Sequence, residues 1–279
     1  MPEEDDKTIN TPYNDKNILI SYKELTDLLK KFNITNKIND INLYRKAFVN
    51  KSYCTRKNEN FINGNINCPE HILPLQEESN ERLEFLGDSI LSMVVAGYLY
   101  ERYPDNNEGF LTRLRTKLVN GKMLAHLSAK IGLAKYIIIS KQIEENDGRK
   151  NLNILEDVFE AFIAAVYLDF GEQGFDIANQ WIVNIIETTL DMSELIIQNT
   201  NYKDIVIKYF QQTYGYIPRF FEVSVDSISK TYTVCLKDDN GNVISLGSGP
   251  NKKMAENICA KNAIDQNNIG INGEADMVI

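Results

Sequence analysis

The chain has 279 residues, enough for about two domains, and its 43% hydrophobic content is that of a folded protein. A formal net charge of −9 argues against a protein that holds nucleic acid by bulk attraction over its whole surface. No uncharged apolar run reaches the ~18–20 residues of a membrane span, and the acidic start Met1-Pro2-Glu3-Glu4-Asp5-Asp6 is unlike a signal peptide. The expectation is a soluble, intracellular, cytoplasmic protein with no membrane partner.

Residues 1–17 are polar and aperiodic and read as a disordered leader. Apolar residues at helical spacing predict a helix over 21–32 and another from Asp40 to Tyr53, carrying Leu43, Ala47 and Phe48. From about Thr55 to Ser79 the pattern is lost; this Asn-rich stretch with Gly64, Pro69 and Pro74 predicts a long surface loop. Ser79 or Asn80 can cap the next helix, which runs to Tyr103 before Pro104. Asn107 can cap a helix over 108–119, followed by helices over 123–131, 155–169 and 174–190, with a Gly/Asp/Asn break at 146–151.

Two of these helices carry acids where apolar residues would be cheaper. In Asn80-Glu81-Arg82-Leu83-Glu84-Phe85-Leu86-Gly87-Asp88-Ser89-Ile90-Leu91, the side chains of Glu81, Glu84 and Asp88 fall within an arc of roughly 60° at about 100° per residue. They form either the solvated stripe of an amphipathic helix or one wall of a cation site. A second segment, Leu155 to Asp169, sets Asp157 and Glu160 three residues apart in a still more hydrophobic run. Two such helices facing each other make an oxygen-rich cage, which suits magnesium better than zinc. A carboxylate-bridged di-iron bundle would want Glu-x-x-His, whereas the residue three on from Glu81 or Asp157 is again an acid.

After about 191 the pattern changes to helix 202–214, strands 220–225 and 231–236, a turn at Asp239-Asn240-Gly241-Asn242, strand 243–247 and helix 252–265. Residues 200–268 carry eight Lys/Arg against seven Asp/Glu, so the acid surplus lies with the carboxylate-bearing part of the chain. Cys54, Cys68, Cys235 and Cys259 include no C-x-x-C pair and signal neither a zinc ribbon nor a disulfide framework. His71 and His126, the only histidines, read as structural.

Asn80 to Leu91 resembles the signature helix of the ribonuclease III family letter for letter, and Leu155 to Asp169 resembles that family's second acidic helix. Ala47-Phe48-Val49-Asn50-Lys51-Ser52-Tyr53 and Glu108-Gly109-Phe110-Leu111 are similar to its flanking elements, so the likeness covers roughly 18–190. The resemblance implies an all-helical endonuclease domain that dimerises and cuts double-stranded RNA with Mg2+, Mn2+ being a substitute. Products would carry 5′-phosphate and 3′-hydroxyl ends and two-nucleotide 3′ overhangs. Carried over, Glu84, Asp88, Asp157 and Glu160 are the metal-binding acids, Asp88 and Glu160 the most critical, with Glu81 and Glu108 accessory. The cations of Thr112 to Lys117 are either a solvated helix face or phosphate contacts.

The C-terminal α-β-β-β-α segment is similar to a double-stranded RNA-binding domain. Gly247-Ser248-Gly249-Pro250-Asn251-Lys252-Lys253 resembles its glycine-rich turn, which makes Lys252, Lys253, Lys230 and Gln211 candidate RNA contacts. Ile207 stands where the family often has Gln, and the loop 226–229 lacks its usual Gly-x-x-His. The expected organisation is leader 1–17, catalytic domain 18–192, linker 193–200, RNA-binding domain 201–268 and tail 269–279. The rival expectation is a non-cleaving protein that binds or sequesters double-stranded RNA.

Overall fold

The computed structural model describes residues 11–55, 68–197, 202–226, 231–267 and 269. The chain divides into two compact units, Met1–Leu195 and Ile196–Ile279. The first is all-helical and the second is a helix, three antiparallel strands and a helix.

The helices of the first unit are α1 (Tyr22–Lys30), α2 (Ile41–Ala47), α3 (Glu81–Arg102), α4 (Glu108–Leu118), α5 (Gly121–Ile131), α6 (Lys141–Glu145), α7 (Leu152–Asp169), α8 (Gly174–Thr189) and α9 (Met192–Ile197). At the centre stands α7, 12 of whose 18 residues are buried, packed against α2, α3, α5 and α8. Burial on most of its faces makes it the core helix of this unit. Phe159 and Phe162 of α7 stack on Trp181 of α8 with ring centroids 5.7 and 5.0 Å apart. Length and composition would let α3 cross a membrane. Its buried residues, Leu83 through Leu99, instead pack on α7 and α8 as part of this core.

Several boundaries differ from the sequence expectation, each because a distant partner overrides a local rule. The leader does not extend to residue 17: Asn14 and Asn17 are buried, and both side-chain amides donate to the Ile139 carbonyl, at 3.1 and 2.9 Å. The expected helix 40–53 stops at Ala47, where Phe48 to Asn50 pair with Ile138 through Ile138 N to Phe48 O (2.9 Å) and Asn50 N to Ile138 O (3.0 Å). Asn80 precedes α3 without capping it; its amide donates to Ala47 O at 3.2 Å and its N–H to Val49 O at 2.8 Å. Those bonds tie the start of α3 to the segment carrying Lys51. The expected linker 193–200 begins later, since α9 runs to Ile197 and Lys117 Nζ donates to Leu195 O at 2.8 Å. Of the expected loop 55–79, residues 56–67 lie outside the described residues.

The second unit comprises α10 (Tyr202–Tyr214), β1 (Arg219–Asp226), β2 (Thr231–Lys237), β3 (Val243–Gly249) and α11 (Lys252–Gln266), with sheet order β1-β2-β3. Only β3 shows the period-2 alternation of a half-buried strand; β1 is exposed along most of its length and β2 buries Val234, Cys235 and Leu236 in succession. Phe220 and Leu236, paired in register, join the core with Tyr209 and Phe210 of α10 and Cys259 of α11. Ile269, assigned from sequence to the tail, is buried in this core and donates its N–H to Ile264 O at 3.0 Å.

Candidate active site

Two acids on α7 are buried, and the contrast between them locates the site. Asp169 is 7% exposed and its carboxylate is fully engaged, accepting from Asn39 N (3.0 Å), Asp40 N (2.6 Å) and Tyr44 Oη (3.0 Å). That acid clamps the end of α7 to the start of α2. Glu160 is 8% exposed, yet its carboxylate has no hydrogen bond or ion pair among the described residues. Solvent still touches its carboxylate oxygens, so the cost is less than the several kcal/mol of a fully dehydrated, unpartnered charge. What surrounds Glu160 makes matters worse, for its nearest charges are Asp88, Glu156, Glu84 and Asp157.

The crossing of α3 over α7 brings these acids together. Gly87 sits at the crossing, where a Cβ would come 1.8 Å from the Glu160 carbonyl oxygen. Only glycine permits that approach, and Asp88 and Glu84 on either side of it are thereby set beside Glu160. Burial, then the charges of Asp88, Glu156, Glu84 and Asp157, push the Glu160 carboxyl up to about 8. Burial, then Glu84 and Glu156, push Asp157 up to about 6. Glu84 is raised by burial and then by Glu81, whereas a hydrogen bond from Lys51 holds Glu81 below its usual range. The Lys51 ammonium, 3.1 Å from Glu81 Oε1, is the cation that these acids share.

The charges of Glu84, Asp88, Asp157 and Glu160 thus bear on one another across the α3–α7 crossing, and that of Glu81 bears on Glu84 and Asp157. Glu108 is not brought to the group; exposed at the start of α4, it accepts from Thr112 Oγ1 at 2.9 Å. Among the described residues no three acids are already drawn tightly enough together to hold a metal ion. The donor set itself, all oxygen and with Glu160 unpartnered, is of the kind a hard divalent cation takes. Glu156, Lys51 and Gly87 were missed as site residues in the sequence. Glu156 was legible, lying four residues before Glu160 and about 40° from it around the helix.

A raised folded-state pKa means that Glu160 favours the fold fully below about 4.5 and loses that contribution as pH rises through about 8. In EDTA the melting temperature should therefore fall by about 5 °C between pH 5.5 and 8.5, a loss of about 2 kcal/mol. Divalent cation should recover it at pH 8.5 and do little at pH 5.5. A flat profile in differential scanning calorimetry would mean the acids do not face each other.

In the second unit Asn251 caps α11, accepting from Met254 N at 2.9 Å, and projects Lys252 and Lys253 from its first turn. Both are exposed; Lys252 Nζ lies 3.7 Å from Glu222 Oε2. Gly247 of β3 lets α11 approach, since a Cβ there would meet Cys259 N at 2.2 Å. Gln211 is exposed on α10. Lys230 and the loop 227–230 lie outside the described residues.

The family profile described as "Ribonuclease III domain" matches residues 81–171, and "Double-stranded RNA binding motif" matches 202–267. "Ribonuclease 3" of Aliarcobacter butzleri is 36% identical over 212 residues, which are 75% of this chain and 92% of that protein. The chain belongs to the ribonuclease III family. "Probable ribonuclease 3" of Acanthamoeba polyphaga mimivirus is 33% identical over 260 residues, 92% of this chain, and the chain spans about half, 47%, of that relative's length. A crystal structure of the nuclease domain of ribonuclease III from Campylobacter jejuni is 31% identical, covering 60% of this chain and 98% of that one, with a TM-score of 0.46. The first unit is thus a ribonuclease III-type helical domain and the second a double-stranded RNA-binding fold.

Proposed function

We propose that the chain is a magnesium-dependent endoribonuclease that cuts double-stranded RNA, leaving 5′-phosphate and 3′-hydroxyl ends with short 3′ overhangs. The observation that carries this reading is the unpartnered Glu160 among four other acids. Glu84, Asp88, Asp157 and Glu160 would hold Mg2+ or, as a substitute, Mn2+. Once bound, such an ion supplies an acidified water and neutralises charge on phosphoryl oxygens. The chain's own part is to fix four oxygen donors on two rigid helices and to hold Glu160 with no cation paired to it among the described residues. Lys51, engaged with Glu81, stays at the rim. Lys252 and Lys253, at the start of a helix, bring charge and helix dipole to phosphates, and Gln211 supplies a polar contact. Four free thiols suit a reducing, cytoplasmic setting.

The same reading makes the protein a homodimer. On α3, Phe85, Met93 and Tyr100 are 78, 65 and 74% exposed and lie within an arc of about 80°. An apolar stripe of this kind on a core helix is an association surface. Met93→Asp is expected to give a monomer by sedimentation velocity with an unchanged helical circular dichroism spectrum; a dimer that persists would place the interface elsewhere.

Incubation with long duplex RNA and Mg2+, followed by sequencing of the product ends, tests the activity. Short staggered duplexes are expected. A shifted but uncut duplex would make the protein a binder that does not cleave.

A further inference from the structure

Glu156 has a place in the site that its position in the chain alone does not announce. It lies one helical turn before Glu160 on the same side of α7. There it rests on the first residue of α5: a Cβ on Gly121 would come 2.2 Å from Glu156 Oε2 and 2.7 Å from Oε1. The backbone of Gly121 does not have a positive φ, so no turn geometry demands glycine. The close neighbour is this carboxylate, which a side chain at residue 121 would displace.

Glu156 also forms one wall of a cleft of about 380 Å3, with Asn120, Gly121, Lys122, Leu152 and Asn153. An acid in such a cleft would ordinarily pair with the nearby lysine, yet no ion pair joins Glu156 to Lys122. Its charge bears instead on Glu84, Asp157 and Glu160, and the charge of Asp88 bears on it. Half-buried among acids, it adds repulsion, and among the described residues no ion pair is made by Glu156 itself. The second sign of a missing ligand is Glu160 itself, more than nine-tenths buried, without a partner, and surrounded by the same acids.

We infer that Glu156 is a fifth carboxylate of the divalent-cation site, and that Gly121 keeps the floor of α5 clear so that it can reach the ion. This rests on the reading that the acid cluster binds a divalent cation. It assigns the α5 side of the cluster to cation binding. The alternative is an acid placed against the α5 N-terminus only for the helix dipole.

Manganese added to the full-length protein without RNA, with free ion counted by electron paramagnetic resonance, separates the two. Glu156→Gln should weaken Mn2+ binding about tenfold, with Glu156→Asp recovering part of the loss. Removing one acid relieves repulsion, so the variant's melting temperature in EDTA should be no lower than the parent's. Gly121→Ala should weaken binding in the parent background by crowding Glu156, but add nothing once residue 156 is Gln. Equal Mn2+ affinity for parent and Glu156→Gln would overturn the assignment while leaving the cluster intact. Effects of Gly121→Ala that persist undiminished in the Glu156→Gln background would overturn the role of Gly121. A parent that binds no Mn2+ at all would remove the cation reading and this inference together.

Discussion

Glu160→Gln should abolish cleavage of duplex RNA, by about 10³-fold or more, while leaving duplex binding within a few-fold of the parent. The substitution keeps the shape of the side chain and its burial in α7 but removes the charge that a cation would need. The same change should make the metal-free protein more stable at pH 8, because the buried carboxylate facing Asp88, Glu156, Glu84 and Asp157 is no longer there to repel them. Loss of activity with a gain in apo stability is the signature of a residue kept for function at the expense of the fold. Cleavage assays beside gel shifts in EDTA, with calorimetry at pH 8, read all three quantities. Parental activity, or a variant less stable than the parent in EDTA, would show that Glu160 has a structural role as Asp169 does.

Gly87→Ala should be among the most damaging single methyl groups in the first unit, alongside Gly174→Ala. A Cβ at residue 87 would lie 1.8 Å from the Glu160 carbonyl oxygen and 2.5 Å from its carbon, and both are backbone, so no side chain can swing aside. The two core helices would have to separate. Overpacking of this kind costs about 3 kcal/mol or more, a fall of roughly 8 °C in melting temperature for a unit of this size. Since α3 and α7 carry the two halves of the acid cluster, cation affinity should fall with it. Gly97, on the same helix with open space where its Cβ would be, is the control: Gly97→Ala should be neutral or slightly stabilising. Similar melting temperatures for the two variants would mean that α3 and α7 do not cross at Gly87.

Much of this was readable in the chain because it obeys local periodicity. Acids three, four and seven residues apart must share a helix face, and Glu84, Asp88, Asp157 and Glu160 do so. After residue 200 the element order follows the expected helix, three strands and helix, and α10 has the bounds that its apolar spacing predicts, although only β3 alternates in burial. The parts that were not legible depend on partners far along the chain. Nothing near Asn14 or Asn17 says that both amides will be buried on Ile139, more than 120 residues away. Asn80 has the composition of a helix cap, yet its side chain is taken by Ala47 O. Gly87 reads as an ordinary interruption of a helix until α7 is placed against it. Glu156 shares a face with Glu160, but that its carboxylate rests on Gly121 of α5 depends on a contact about 35 residues away in the chain.

The account depends on one physical claim: acids from α3 and α7 are set together, unpaired, in order to surround a divalent cation. Crystals of the protein grown or soaked with Mn2+ and measured at the manganese absorption edge test it directly. Anomalous density enclosed by the carboxylates of Glu84, Asp88, Asp157 and Glu160 is the predicted result. The same side chains turned away from each other, with no anomalous signal between them, would contradict it.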